Sequence, residues 1–469
     1  MRLINNLPEN QVVKIWQQLL LDRTELTTEE GELIKIIYSG RINDDRGADF
    51  RDAVIATGRG LIKGDIEIHV RSSDWQAHRH HYDPAYNRVI LHVAMWHNTE
   101  AATHLQSGEE VPTLALHKYV TSPISRSLNL AYYPGTSSMP CRNTIGGLTT
   151  RIVAEFLDSA GEERFLTKAT KFRADLAQTE AGQCLYQGIM GALGYSKNKL
   201  PMLKLAGRLP LQRLESIRLP DEECLARQQA LLLGTAGLLP SQRPNWHQDR
   251  DEWVDKLERL WASCQQTEAM SPDAWHLFKV RPSNSPVRRI VAMSYLILRY
   301  RKRGILNEVV NMVREIPVNK GRYGLEKGLV VTANDYWASH FDFGSGSRIR
   351  SQSLLGSRRA ADIVVNVLLP FTFAWSQFTS QPELKQKALD LYRSYPKLAV
   401  NSVERHMTKQ LRLSSNLSNS AQRQQGLIHI YNSLCTQGKC HYCPLGNIKG
   451  VNKAEGKFFP PTLPQSFAH

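Results

Sequence analysis

Apolar residues recur at helical spacing in QVVKIWQQLLL, residues 11 to 21, and the texture changes directly after it. GELIKIIYSG, DAVIATGRGLIKGDIEIHV and NRVILHVAMW are short, rich in β-branched residues and bounded by Gly, Asn or Asp, the punctuation of strands and turns. This pattern predicts an α+β domain over residues 1–135. A stretch rich in Ser, Pro and Gly, residues 121–149, reads as a connection. Beyond it helical periods dominate, as in WVDKLERLWASC, RRIVAMSYLILRYRKR and ELKQKALDLYRSY, with no fixed repeat. The expected fold class is α+β: an N-terminal mixed sheet, a larger mainly helical basic domain over 150–434, a cysteine-rich element at 435–445 and a flexible tail at 446–469.

One strand has an unusual face. In GDIEIHVR the alternation puts Asp65, Glu67, His69 and Arg71 on one side and Ile66, Ile68 and Val70 on the other. A three-residue loop at Thr57, Gly58 and Arg59 pairs Ala56 with Gly60 and sets Asp49 opposite Glu67. Facing carboxylates with Cβ atoms about 5 Å apart repel unless a proton or cation lies between them. A hard divalent cation, Mg²⁺ or Mn²⁺, suits Asp49 and Glu67. The plain alternative is a solvated face on which Arg71 and Lys63 neutralise the acids.

Length and charge narrow the setting. A chain of 469 residues exceeds one ordinary core, and 42% hydrophobic with 22% charged residues is a folded composition. No apolar run approaches bilayer length and the start MRLINNLPENQ has no leader pattern, so a cytoplasmic protein without a membrane partner is expected. The net charge of +15 favours a polyanion, and Lys279 to Arg303 carries eight basic residues and no acid. Arg288, Arg289, Arg299 and Lys302 are the candidate phosphate contacts, with Arg288, Arg299 and Lys302 near one helical face. The alternative is a solvated face or salt bridges to distant acids.

Histidines crowd DWQAHRHHYDPAY. His78 and His80 are candidates for metal or phosphate, and His92 in VILHVAMW is placed to share a face with His69. Each alone is also readable as a structural or surface residue. Cys435, Cys440 and Cys443 have spacing fit for a metal, while Cys141, Cys184, Cys224 and Cys264 stand apart, which argues against a disulfide framework. Zinc would take His429 or His441 as a fourth ligand; an iron–sulfur cluster would recruit a distant cysteine such as Cys264. The aromatic DYWASHFDFG is read as core.

The acid in GADF, the hairpin after it and EIH at the end of the second strand resemble the PD-(D/E)XK nuclease-like superfamily. The resemblance implies that Asp49 and Glu67 hold Mg²⁺ and that His69 takes the place of the lysine that orients the attacking water. Ala48 stands where that signature has Pro, and His69 where it has Lys. Some nucleases of that group carry an iron–sulfur cluster beside the catalytic domain. A second resemblance spans more of the chain: GxxEIHxxSSDWxxHxHxxDPAY, RPSNSPVRR, DYWASHFDFG and QRQQGLIHIY with the clustered cysteines are similar to an uncharacterised bacterial family of unknown function. The expected function is a metal-dependent nuclease-like phosphodiester hydrolase acting on DNA or RNA, with Asp49, Glu67 and His69 catalytic. The alternatives are an inactive nucleic-acid-binding protein and a zinc protein using the histidines.

Overall fold

The computed structural model describes residues 7–22, 25–120, 141, 147–243, 251–264, 268–344 and 353–446. The expected tail at 446–469 lies outside the described residues apart from its first position, as does most of the expected connection at 121–149. The fold class is α+β. Two compact units divide the chain: Met1–Ala160 with Val400–Leu417 and Gly426–His469, and Gly161–Ala399 with Ser418–Gln425.

The first unit holds the sheet. After helix α1 (Glu9–Asp22) come β1 (Glu25–Thr27), β2 (Leu33–Tyr38), β3 (Arg41–Ile42), β4 (Phe50–Thr57) and β5 (Gly60–Arg71). A short helix α2 (Asp74–Ala77) follows, then β6 (Val89–Trp96), β7 (Thr103–His104), β8 (Glu110–Val111) and β9 (Thr113–Ala115). Seven strands make one mixed sheet in the order β1-β2-β4-β5-β6-β9, with β3 on β4; β7 and β8 pair separately. The stripe Val12, Ile15, Trp16 and Leu19 of α1 packs on Ile66, Ile68, Leu91, Val93 and Leu114. Each such aliphatic side chain contributes about 1.5–3 kcal/mol when fully buried.

The hairpin differs from expectation in two ways that cancel. Thr57 pairs with Gly60, so the loop is the two residues Gly58 and Arg59, and the pairing runs one residue out from the expected register. A bulge then places Arg51 and Asp52 together opposite Asp65. Asp52 turns through φ +63° there and its N–H donates to Asp65 Oδ1 at 3.0 Å. The extra residue restores the register, Phe50 pairs with Ile66, and Asp49 arrives beside Glu67.

Strand β6 runs parallel to β5 and β9 parallel to β6. The crossover from β5 to β6 carries the histidine-rich segment over the second face of the sheet, where Trp75, Ala48, Val89, Leu105 and Val111 form a small apolar cluster. The face expected to be ionisable is therefore covered.

The later part of the chain departs from the expected 150–434 domain. Met407, Leu411, Leu427, Ile430 and Tyr431 share a core with Tyr38 and Val54 of the sheet. Tyr431 donates to Asp52 Oδ2 at 2.6 Å, and Lys63 to Gln437 Oε1 at 2.5 Å. Apolar burial and these bonds put residues 400–417 and 426–446 with the sheet.

In the second unit, helices Ala181–Leu193, Asp221–Thr235, Pro286–Tyr300 and Ser357–Phe378 share one core that includes Ile189, Leu232, Ile290 and Leu368. Ser357–Phe378 is long and apolar enough to cross a membrane by length and composition, contrary to expectation, yet it is mostly buried within the unit. Trp337 and Phe343 of DYWASHFDFG are buried in the same core, as expected.

Candidate active site

Strand β5 delivers Glu67 and His69 to the covered face, where they are 6% and 0% exposed. The Asp49 N–H donates to Glu67 Oε2 at 3.0 Å, and the Ile68 N–H donates to Asp49 Oδ2 at 3.1 Å, so each carboxylate is tied to the other's strand. The remaining Glu67 oxygen, Oε1, lies 3.5 Å from His69 Nε2 and 3.4 Å from His80 Nε2.

The crossover supplies the other imidazoles. Trp75 anchors α2 beneath the surface and donates to the His104 carbonyl at 3.0 Å. Past α2, Arg79 adopts a left-handed conformation at φ +60°, which lets His78 and His80 turn toward His69 from either side. Ligand nitrogens of His69, His78 and His80 all lie within 4.8 Å of one another. Asp83, bonded to Arg46 at 2.9 Å, accepts from Ala85 N and caps the turn that follows. Tyr86 packs on the His80 ring with centroids 3.8 Å apart.

Alternation places His92 on this face, as expected from the sequence. Its Nε2 is 3.0 Å from His69 Nδ1, and its Nδ1 is 3.0 Å from Thr103 Oγ1, itself 3.2 Å from Thr113 Oγ1. With His69 Nδ1 as donor, the run of bonds points one way and leaves the lone pair on His69 Nε2, facing Glu67 and His78.

Burial dominates the electrostatics. It pushes the Glu67 carboxyl well above its ordinary range, and the neighbouring Asp49 pushes it further. Asp49 is raised by burial too, against the bond from Ile68. Burial lowers His69 to about 2, His92 to about 3 and His80 to about 4. At neutral pH the imidazoles are neutral and Glu67 retains a proton unless a cation replaces it.

This donor set fits a divalent metal ion. His80 Nε2 is buried without a hydrogen-bond partner, and beside it are Glu67 Oε1 and two further imidazoles. Glu9, at the start of α1, adds a carboxylate 3.9 Å from His69 Nε2, and nothing in its sequence context marks it apart from an ordinary first-turn acid.

Other expected site residues go elsewhere. Arg288 and Arg289 are buried in the helical unit. Arg288 donates to the carbonyls of Trp337, His340 and Ser353, and Arg289 to that of Leu354, to Asn284 and to Tyr195. Neither is offered to a phosphate, because folding spends their terminal nitrogens on backbone carbonyls and, for Arg289, on Asn284 and Tyr195 as well. Arg299 is exposed but donates to the Gly328 and Val330 carbonyls at 2.8 and 2.9 Å. Lys302 is exposed. Cys435, Cys440 and Cys443 gather in the sheet unit around a cavity they share with Cys141. The Cys264 thiol belongs to the helical unit and donates to the Leu260 carbonyl at 3.2 Å.

One family model matches residues 9–399, which includes the whole histidine–carboxylate site and Cys141 but stops short of the three C-terminal cysteines. No curated protein and no solved structure matches the chain. On that family match the chain belongs to the family described as Protein of unknown function (DUF2851).

Proposed function

We propose that the sheet unit is a metal-dependent nuclease-like phosphodiester hydrolase acting on DNA or RNA in the cytoplasm. The observation that carries this reading is the convergence of Asp49 and Glu67 with the imidazoles of His69, His78 and His80 at one end of the parallel pair β5–β6. Glu67, His69 and His80 would hold the cation, with Asp49 beside them. Mixed imidazole and carboxylate donors favour Mn²⁺ over Mg²⁺, which prefers oxygen ligands. A bound divalent ion lowers the pKa of its water and neutralises charge on a phosphoryl oxygen.

The chain's own groups do the rest. His92 and Thr103 hold the His69 ring in one tautomer and orientation. Burial keeps His69 neutral, so its one lone pair, on Nε2, is available to the cation. His78, exposed at the rim, is placed to donate to a phosphate oxygen. Trp75 and Tyr86 restrict water on the covered side.

Cleavage of labelled DNA and RNA with Mn²⁺ tests this reading. Glu67→Ala is expected to lower the rate by more than about 100-fold, beyond the usual loss for an outer-shell partner. Equal rates in the two proteins would reject it. A second reading, a zinc protein without hydrolytic activity, draws on the close spacing of the three imidazoles. Stoichiometric zinc with no cleavage under any metal would establish that reading instead.

A further inference from the structure

Cys141 stands alone in the sequence, far from Cys435, Cys440 and Cys443, yet all four line one cavity of the sheet unit. The three C-terminal cysteines reach it because the chain turns sharply after helix Ala421–Ser433. Gly438 takes φ +66°, and Lys439 N–H bonds back to the Leu434 carbonyl at 2.9 Å. Gly446 closes the loop at a point where a Cβ would come within 2.7 Å of the Cys440 carbonyl oxygen, so only glycine passes there without a shift.

The sulfurs also share donors. Gln410 Nε2 lies 3.8 Å from Cys141 Sγ and 3.8 Å from Cys435 Sγ, joining the distant cysteine to the cluster through one amide. Backbone N–H groups of Leu445 and Gly446 point at the Cys443 sulfur. Donors directed at sulfur stabilise thiolates and tune metal–thiolate centres. Without a cation the site is unfavourable for thiolates: burial, and then neighbouring thiols, push Cys435 and Cys443 upward.

We propose that Cys141, Cys435, Cys440 and Cys443 hold one iron–sulfur cluster of the four-iron class, with Cys141 as the fourth ligand. Spacing separates this from zinc. A zinc ion draws its thiolates to about 2.3 Å and leaves no room between them. Here, among the described residues, no three of these sulfurs lie within 4.8 Å of one another, wider than the ~3.8 Å between thiolates on one tetrahedral zinc. Such spacing suits a polynuclear core. On binding, the four thiols release their protons and the thiolates ligate iron; no electron transfer is required. The centre would pin the chain end to the sheet unit.

The test uses full-length protein purified without oxygen. Wild type is expected to contain iron and acid-labile sulfide at about four each per chain, with visible absorbance that bleaches under dithionite. Cys141→Ser is expected to lose at least half of the sulfide, whereas Cys264→Ser retains it all. Because Cys141→Ser could impair folding, iron X-ray absorption of the wild type supplies a second readout, with all-sulfur coordination expected. Zinc at one per chain that is lost in Cys141→Ser, absence of sulfide, nitrogen or oxygen ligation of the iron, or full sulfide in Cys141→Ser would each overturn the proposal.

Discussion

Arg288 and Arg289 in the helical unit are buried as deeply as Glu67 and His69 in the sheet unit, and both pairs stand out as charged residues in apolar surroundings. They differ in what their polar atoms do. The arginine terminal nitrogens are engaged by backbone carbonyls, and Tyr195 and Asn284 also accept from Arg289. In the sheet unit one oxygen of Glu67 faces two imidazoles, and His80 Nε2 is buried without a hydrogen-bond partner. Burial alone therefore does not mark a functional site. A buried cation whose terminal donors are taken up by the fold is structural; a convergent set with unspent lone pairs is prepared for something the chain does not supply.

The largest effect expected from this contrast is on stability. Arg288→Ala should cost about 3 kcal/mol or more, because three carbonyls lose their donor in a dry interior. Chemical denaturation measures it, and manganese bound by the folded fraction should not change. A loss below about 1 kcal/mol would mean that the arginine is not part of the helical core.

Next is the orientation of His69. His92→Phe keeps a ring of similar bulk but removes the nitrogen 3.0 Å from His69 Nδ1. Manganese affinity, read by titration calorimetry, should fall about 10–100-fold. Unchanged affinity would show that the His92–Thr103 relay does not set the ligand.

A smaller effect links pH to the protonated carboxyl. The folded-state pKa of Glu67 is raised, so the metal-free native state binds more protons than the unfolded chain between the ordinary carboxyl range and that raised value. Stability accordingly falls as pH rises through this window. His69, His80 and His92 are lowered, and their contribution is lost instead as pH falls below about 6.5. Above neutrality only the Glu67 trend remains of these. Metal-free Glu67→Gln should then melt higher than wild type by ~2–4 °C, the shift for about 1 kcal/mol, with the gap widening from about pH 7 to about pH 9. Manganese affinity of the wild type should rise over the same interval, since the cation displaces a proton. A gap that stays constant with pH would show Glu67 already ionised.

The smallest effect concerns the surface. Lys302→Gln should alter stability by less than about 0.5 kcal/mol and reduce the salt slope of nucleic-acid binding by at most about one. A larger change in slope would restore the basic helix as a docking surface.

The two regions were unequally legible in the sequence. Period-two alternation was enough to bring Glu67, His69 and His92 to one face, since a strand has only two faces. The hairpin loop was misjudged by one residue, and a bulge at Asp52 undid the error; no local signal announces that bulge, because Asp rather than Gly takes the left-handed turn. On the helix, the basic run suggested a surface that the fold does not make. The clue lay at helical spacing: Val291 and Ala292, one turn beyond Arg288, are both buried. Glu9 and Cys141 were not legible, since only tertiary structure brings a first-turn acid to the histidines or a lone cysteine to a distant trio.

Diffraction from crystals soaked in Mn²⁺, with data collected at the manganese absorption edge, tests the account most directly. It predicts one anomalous peak within coordination distance of Glu67 and at least two of His69, His78 and His80, absent in Glu67→Gln crystals. A peak elsewhere, or none at a manganese concentration that saturates cleavage, would contradict it.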